Sequence, residues 1–461
     1  MRILKSYPVI SSLMLSVIIY ACKSTDTTVT PSSATITALT CSSATFSANP
    51  VNGTAFTGTA SVPYTGGNGI AYSAGTAIAS TGVTGLTATL SAGTLSSGAG
   101  SATFAIAGTP SATGTAAFAI ALGGQSCTLS LTVGTAVVVT TNCDAKTGVE
   151  KIVCLADAFK ATLTSAQIAT LQLAYTFSNM KTWSNLPAAL SPRIGIKLGT
   201  LNATQLAAAK ALIKEMTLSN VANEGYDEVA QVWAADDWLV SDGRANSDYG
   251  SGNYYLAFYG TPSTAGTFEI METGHHKTVA NTYTNGTLVA ATPHFEAVEP
   301  TKWTSGGVTY EPISQETTAM KALIAGLSAT QAATAKSSST FSDILLAPGK
   351  DWQFPNTYSG LVCSGLTDAQ KALALNVIKT YTNDIDATNA AKFLATYTAE
   401  LDKSYITYAG TGNFDTKNDY FRIDGPHVWI ELSQNGGIIY QGPHVHSIWR
   451  DRVSDYAGTT K

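Results

Sequence analysis

Hydrophobic and polar positions alternate in short runs over the first third of the chain, and recur at helical spacing in several later stretches. Runs such as Ser101–Gly108 (SATFAIAG), Thr115–Gly124 (TAAFAIALGG) and Cys127–Gly134 (CTLSLTVG) have a period of two and are broken by Gly, Pro and Ser. That pattern predicts many short antiparallel strands and therefore a β-sandwich. After Cys143 four segments carry a capping residue followed three positions later by Gln: Thr164/Gln167, Asn202/Gln205, Ser328/Gln331 and Thr367/Gln370. Each predicts a capping box opening an Ala-rich helix. Thr164 to Asn202 is 38 residues and Ser328 to Thr367 is 39, so the boxes pair as two copies of one helix–helix unit. A further helix is expected in the stretch EGYDEVAQVWAADDWL, within an apparent insertion at Glu224–Asn253 of the first copy.

Strand-rich stretches follow each pair. Tyr255–Thr261 parallels Tyr405–Thr411, Gly274-His275-His276 parallels Gly425-Pro426-His427, and Pro293-His294 parallels Pro443-His444. Asn285-Gly286 and Asn435-Gly436 are matching hairpin-turn candidates. The expected fold is multidomain: an all-β sandwich over 35–136, then an α+β domain over 151–461. The latter consists of two repeated units, about 154–300 and 316–455, each a helix pair plus an antiparallel meander.

Composition narrows the function. The chain has 461 residues, only 12% of them charged, and a net charge of -5. This argues against a nucleic-acid footprint, which needs clustered Lys and Arg. The first 22 residues carry Arg2 and Lys5 and then an apolar run to Ala21, too short for a membrane span but fitting a secretory signal. Ile19-Tyr20-Ala21-Cys22 resembles a bacterial lipoprotein box with Cys22 as the lipidated residue; the other reading is an ordinary signal cut nearby. The first reading puts the protein at the outer membrane or cell surface, with the membrane as its partner through the anchor and residues 23–34 as a linker. Export permits disulfides Cys41–Cys127 and Cys143–Cys154, the latter near a second linker at 137–150, and leaves Cys363 as a buried free thiol. From Thr27 to Cys143 there is no Asp, Glu, Lys, Arg or His, so that module lacks the means for acid–base chemistry. It resembles the Ig-like modules that space surface lipoproteins from the membrane; adhesion to a glycan or protein is its sharper reading.

The chemistry concentrates in six histidines: His275, His276, His294, His427, His444 and His446. Strand residues two apart share a face, so His444 with His446, and His294 with Glu296, are expected to converge if the repeats meet. Three imidazoles and a carboxylate suit zinc, iron or manganese. His275 and His276 join this metal set, and His427 is a candidate either to ligate the metal or to hydrogen-bond a ligand. Arg422, Glu431, Arg450 and Asp451 are supporting or substrate-contact candidates, with Arg450–Asp451 expected as a buried ion pair. P-loop, dinucleotide, Gly-x-Ser-x-Gly and His-Glu-x-x-His motifs are absent.

At these residues the chain resembles the family catalogued as domain of unknown function 3500. The resemblance rests on Gly274-His275-His276, Glu296–Pro300, Tyr420–Ile423 with Gly425-Pro426, Ile430-Glu431, His444-Val445-His446, Trp449–Asp451 and Asp455-Tyr456. It covers roughly residues 150–458 and implies an exported protein, often bacterial, without an established reaction. The family's Arg-Ile-His-Gly-Pro motif reads Arg422-Ile423-Asp424-Gly425-Pro426 here. The expected function is a lipid-anchored protein with a histidine-rich metal cleft, a metal-dependent hydrolase or oxidase using Glu296 or Glu431 as base. The rival is a non-catalytic binder of a glycan or peptide through Trp233, Trp238, Trp303 and Trp449, with structural histidines.

Overall fold

The computed structural model describes residues 33–53, 55–134, 143–440 and 442–459. Cys22, the signal segment and parts of both expected linkers lie outside the described residues. The described residues form two compact units, one built from 33–47, 56–108 and 115–131, the other from the remaining described residues. Among the described residues no helix is long and apolar enough to cross a membrane.

In the first unit, β1 (Phe56–Asn68), β2 (Leu86–Leu90) and β3 (Ser97–Gly108) form the body of a six-stranded sheet. β4 (Gly114–Leu122) and β5 (Gln125–Val133) belong to a three-stranded one. The period of two is expressed as burial. Ala102, Phe104 and Ile106 of β3 are buried while Thr103, Ala105 and Ala107 are exposed, and Phe118, Ile120, Leu129 and Leu131 repeat the pattern. A disulfide joins Cys41 to Cys127.

The second unit is a 12-stranded sheet backed by helices. Its longer helices are α1 (Gly148–Ala161), α2 (Ser165–Leu171), α3 (Ala203–Met216), α4 (Tyr226–Ser241), α5 (Ser314–Ala325), α6 (Ala329–Ala335), α7 (Asp368–Thr382) and α8 (Ala387–Glu400). All four capping boxes are formed, on α2, α3, α6 and α7. The structure also explains their spacing. Gln205 donates to Gln167 at 3.1 Å, and Gln331 and Gln370 exchange bonds of 3.1 and 2.8 Å. The residue that closes each cap therefore also ties its helix to the partner's start. A second disulfide, Cys143–Cys154, ties the segment before α1 to the middle of that helix. Cys363 is buried, and burial pushes its thiol up to about 12, which leaves it inert.

The main strands are β6 (Tyr255–Tyr259), β7 (Thr267–Thr273), β8 (Lys277–Thr284), β9 (His294–Val298), β10 (Tyr405–Ala409), β11 (Tyr420–Asp424), β12 (Val428–Gly436) and β13 (Pro443–Asp451). Across the sheet they run β6-β7-β8-β9-β13-β12-β11-β10, so the two halves read outward in the same sequence from the antiparallel β9–β13 contact. α4, expected as part of an insertion, takes the same place before the first meander that α8 takes before the second.

Hydrogen bonds fix which residues correspond, and they correct the alignment of the histidines. Ala297 N–H donates to His276 O, and Arg452 N–H donates to His427 O. Lys277 pairs with Glu296, and Val428 with Asp451. Glu296 therefore corresponds to Asp451, and His294 to Trp449, its direct partner across the β9–β13 ladder. His444 is not the counterpart of His294. The turn expectation also divides: Asn285 and Gly286 occupy a tight turn with φ of 47° and 74°, whereas Asn435 and Gly436 lie inside the β12–β13 ladder.

The sheet has two unlike faces. One packs on the helices through Val279, Ile270, Ile430, Val445 and Trp449. The other is covered by connecting segments through Trp183, Ile344 and Tyr456, which meet Met271, Phe295 and Ile448. Glu269 of β7 is wholly buried, accepts from Thr282 at 2.7 Å, and leaves Oε1 without a hydrogen-bond partner among the described residues. Burial raises its carboxyl to about 8. A carboxyl raised in the folded state costs nothing below its unfolded pKa and destabilises increasingly as pH climbs toward the folded value. Glu269→Gln is therefore expected to stabilise the protein by about 2–3 kcal/mol at pH 7 and negligibly at pH 4, as read from denaturant midpoints.

Candidate metal centre

Two buried polar clusters lie on opposite faces of the sheet, and strand parity separates them. Directly paired residues point to the same face and successive residues to opposite faces. On β9, Glu296 pairs with Ser447 and Ala297 with His446. His294 and Glu296 therefore face the helices, while His444 and His446 face the loop-covered side. The expected convergence of these four side chains does not occur.

On the loop-covered side, the hairpin between β7 and β8 delivers two histidines. Gly274 N–H donates to Lys277 O at 2.8 Å, and His276 adopts a left-handed φ of 70°. A side chain at Gly274 would collide with the Tyr254 ring, so only glycine lets the hairpin lie on that tyrosine. The Tyr254 hydroxyl donates to the His275 carbonyl. The His275 and His276 rings stack with centroids 3.6 Å apart. β13 supplies His444 and His446, whose Nε2 atoms are 2.9 Å apart. One nitrogen each from His276, His444 and His446 lie within 4.8 Å of one another. At metal–nitrogen bonds of about 2.0–2.1 Å, nitrogens about 2.9 Å apart subtend roughly 90° at the metal.

Two aspartates orient the set. His275 Nδ1 lies 2.7 Å from Asp236 Oδ1 on α4, and His446 Nδ1 lies 3.0 Å from Asp343 Oδ1. Asn435 flanks the second pair, 2.6 Å from the same Nδ1. A carboxylate that accepts a hydrogen bond from Nδ1–H leaves Nε2 as the lone-pair donor, the arrangement found behind metal-bound histidines. Burial acts to raise the Asp343 carboxyl, but hydrogen bonds from His446 and Asn435 outweigh it and hold the group below its ordinary range. Burial, with the neighbouring His446 and His275, lowers His444 to about 3; burial and the surrounding histidines likewise hold His276 well below its usual value. Both stay neutral at physiological pH, the form that ligates metal. His444 Nδ1 is buried without a hydrogen-bond partner among the described residues. The trio forms part of the wall of a cleft of about 300 Å³, with Leu186, Pro187, Glu299 and Lys417 also lining it.

On the helix side, His294 and Glu296 meet Glu228 of α4 and Asp384, which follows α7. Lys277 joins them, 2.8 Å from Glu228 Oε2 and 3.2 Å from Glu296 Oε2. Burial and mutual repulsion push Glu228 and Glu316 well above the carboxylate range. Glu224 is raised to about 12, chiefly by burial, and so carries a proton in its hydrogen bond to Asp384.

The remaining expected residues do not line the cleft. Glu431 accepts from the Leu345 and Leu346 amides, Tyr420 and Trp429, which excludes it as a free base. Glu296 does not reach the cleft. Arg450 and Asp451 do not pair, because neighbours on a strand point apart. Arg450 binds Asp455 and Asp351, while Asp451 accepts from Tyr397 and the Val453 and Ser454 amides. Arg422 contacts Ser359 and lies over the Trp429 ring. His427 pairs with Glu400 at 2.9 Å, outside both clusters. Trp233, Trp303 and Trp449 are buried in the core, which removes three of the four tryptophans offered as glycan contacts.

Sequence reading missed Asp236, Asp343, Asn435, Glu228, Lys277 and Asp384. For two of them a signal existed: Glu228 and Asp236 sit on the α4 stripe that also carries Val229, Val232, Trp233 and Leu239. A carboxylate on an apolar stripe is out of place unless it is paired.

The fold and site thus define a helix-backed antiparallel sheet with a histidine cleft on its opposite face. Residues 145–458 match the family described as "Protein of unknown function (DUF3500)", and the chain belongs to that family. No curated protein and no solved structure matches it.

Proposed function

We propose that the cleft binds one transition-metal ion through His276, His444 and His446, with His275 beside them, and uses it on a small substrate by hydrolysis or oxidation. The observation that carries this reading is the convergence of three buried imidazole nitrogens on an accessible cleft, with His446 and His275 each backed by an aspartate. Imidazole donors suit zinc, copper, iron and nickel. Three protein ligands with an open side are the pattern of catalytic rather than structural metal. There the metal would serve as Lewis acid or redox centre, while Asp343 and Asp236 hold the ring tautomers. The reading includes export, a lipid anchor at Cys22 at the outer membrane or cell surface, and an Ig-like spacer in the first unit. The two disulfides support an oxidising compartment. It also takes the two halves of the second unit as copies of one ancestral unit, supported by their common element order.

The test is metal content by mass spectrometry after equilibration with zinc or copper, for the protein and for His444→Ala/His446→Ala. The double variant is expected to lose about one equivalent while keeping its circular dichroism. Unchanged metal content in the folded variant would overturn the reading.

A further inference from the structure

The helix-side cluster is a separate matter. Glu228, Glu296, Glu316, Asp384 and His294 are each 2% exposed or less, and Lys277 is wholly buried. Lys277 binds the Oε2 atoms of Glu228 and Glu296 but leaves both Oε1 atoms without a hydrogen-bond partner among the described residues. Asp384 Oδ2, Glu316 Oε2 and both ring nitrogens of His294 likewise have no hydrogen-bond partner among the described residues. His294 Nε2 lies 3.4 Å from Asp384 Oδ2. One donor atom each from Glu228, His294, Glu296 and Asp384 lie within 4.8 Å of one another. Buried polar atoms are almost always satisfied, and an orphaned buried carboxylate oxygen is costly. Here several such atoms belong to one cluster. A single lysine does not match the number of carboxylates around it, and the histidine has no hydrogen-bonding role in the fold.

We infer that Glu228, Glu296, Asp384 and His294 form a second, buried site for a divalent transition cation, distinct from the histidine cleft. Three carboxylates with one imidazole make a harder donor set than the cleft trio, and favour manganese(II) or iron(II) over copper. Lys277 holds the two glutamates from one side and turns their free oxygens toward the cation. Burial means that the ion is acquired as the chain folds rather than by exchange through an open channel. Its nearest role is cohesion of the centre of the sheet, where β9 meets β13 and where α4 and the end of α7 come down on it.

The test uses the full chain unfolded in denaturant with a chelator, then refolded with manganese(II). Bound manganese is read by loss of the free-ion paramagnetic resonance signal. The His444→Ala/His446→Ala variant, which lacks the cleft trio, is expected to retain one tightly held equivalent. Glu228→Gln/Glu296→Gln on that background is expected to lose it. Failure of the cleft reading leaves this result unchanged, so the two stand or fall apart. If the quadruple variant does not fold, the thermal midpoint of His444→Ala/His446→Ala decides instead. Refolding with manganese should raise it by several degrees over refolding with chelator. No retained equivalent, retention after the glutamates are replaced, or an unchanged midpoint would each overturn the inference.

Discussion

Arg450→Met is expected to lower the stability of the second unit by about 3–5 kcal/mol, the usual cost of removing one partner from a buried ion network. The guanidinium is wholly buried. It donates to Asp455 Oδ2 at 2.9 Å, Asp351 Oδ1 at 3.1 Å and the Leu346 carbonyl at 3.1 Å, and lies over the Trp183 ring. Three connecting segments therefore hang on one strand residue, and all three cover the face that holds the histidine cleft. Methionine keeps most of the volume but leaves two carboxylates buried without their cation. The expected readout is a fall in thermal midpoint of roughly 10 °C. Adding Asp351→Asn and Asp455→Asn should recover part of the loss, because the uncompensated charges rather than the missing contacts dominate it. A single variant within 1 °C of wild type would show that Arg450 is not the keystone of that layer.

Lys277→Met is the second large effect. Lys277 is the cation bonded to Glu228 and Glu296, and its neighbouring carboxylates hold its pKa above the ordinary lysine value against the opposing effect of burial. Removing it strands at least two carboxylates and is expected to cost about 3–5 kcal/mol near neutral pH. The sign of the pH dependence follows from which groups remain. Carboxylates deprived of their cation have raised folded-state pKa values, so their penalty vanishes once they are protonated and grows as pH rises. The variant should therefore lie closest to wild type near pH 5 and farthest near pH 8. Denaturant midpoints measured across that range check this, and a gap that narrows with rising pH would contradict it.

The four capping boxes are local, so spacing alone locates them, and the 38- and 39-residue separations acquire a physical cause in the reciprocal Gln167–Gln205 and Gln331–Gln370 bonds. The histidines were legible as residue types but not as a set. Whether His294 and His446 share a face depends on the register of β9 against β13, strands about 150 residues apart in sequence, and a shift of one residue reverses the answer. Aligning Pro293-His294 with Pro443-His444 chose the wrong parity; the backbone bonds of His276 and His427 supply the right one. Asp343 and Asp384 were not legible at all, because each lies in an irregular segment brought to its cluster only by the tertiary fold. Glu228 and Asp236 were half legible, as charges on the buried stripe of α4.

X-ray absorption at the edge of the metal bound by the zinc- or copper-equilibrated protein tests the cleft most directly. The expected first shell is three nitrogen donors at about 2.0–2.1 Å with the multiple-scattering signature of imidazole, and His444→Ala/His446→Ala is expected to abolish that three-imidazole signal as the cleft metal is lost. A shell of oxygen donors only, or three imidazoles persisting in that variant, would contradict metal binding by His276, His444 and His446.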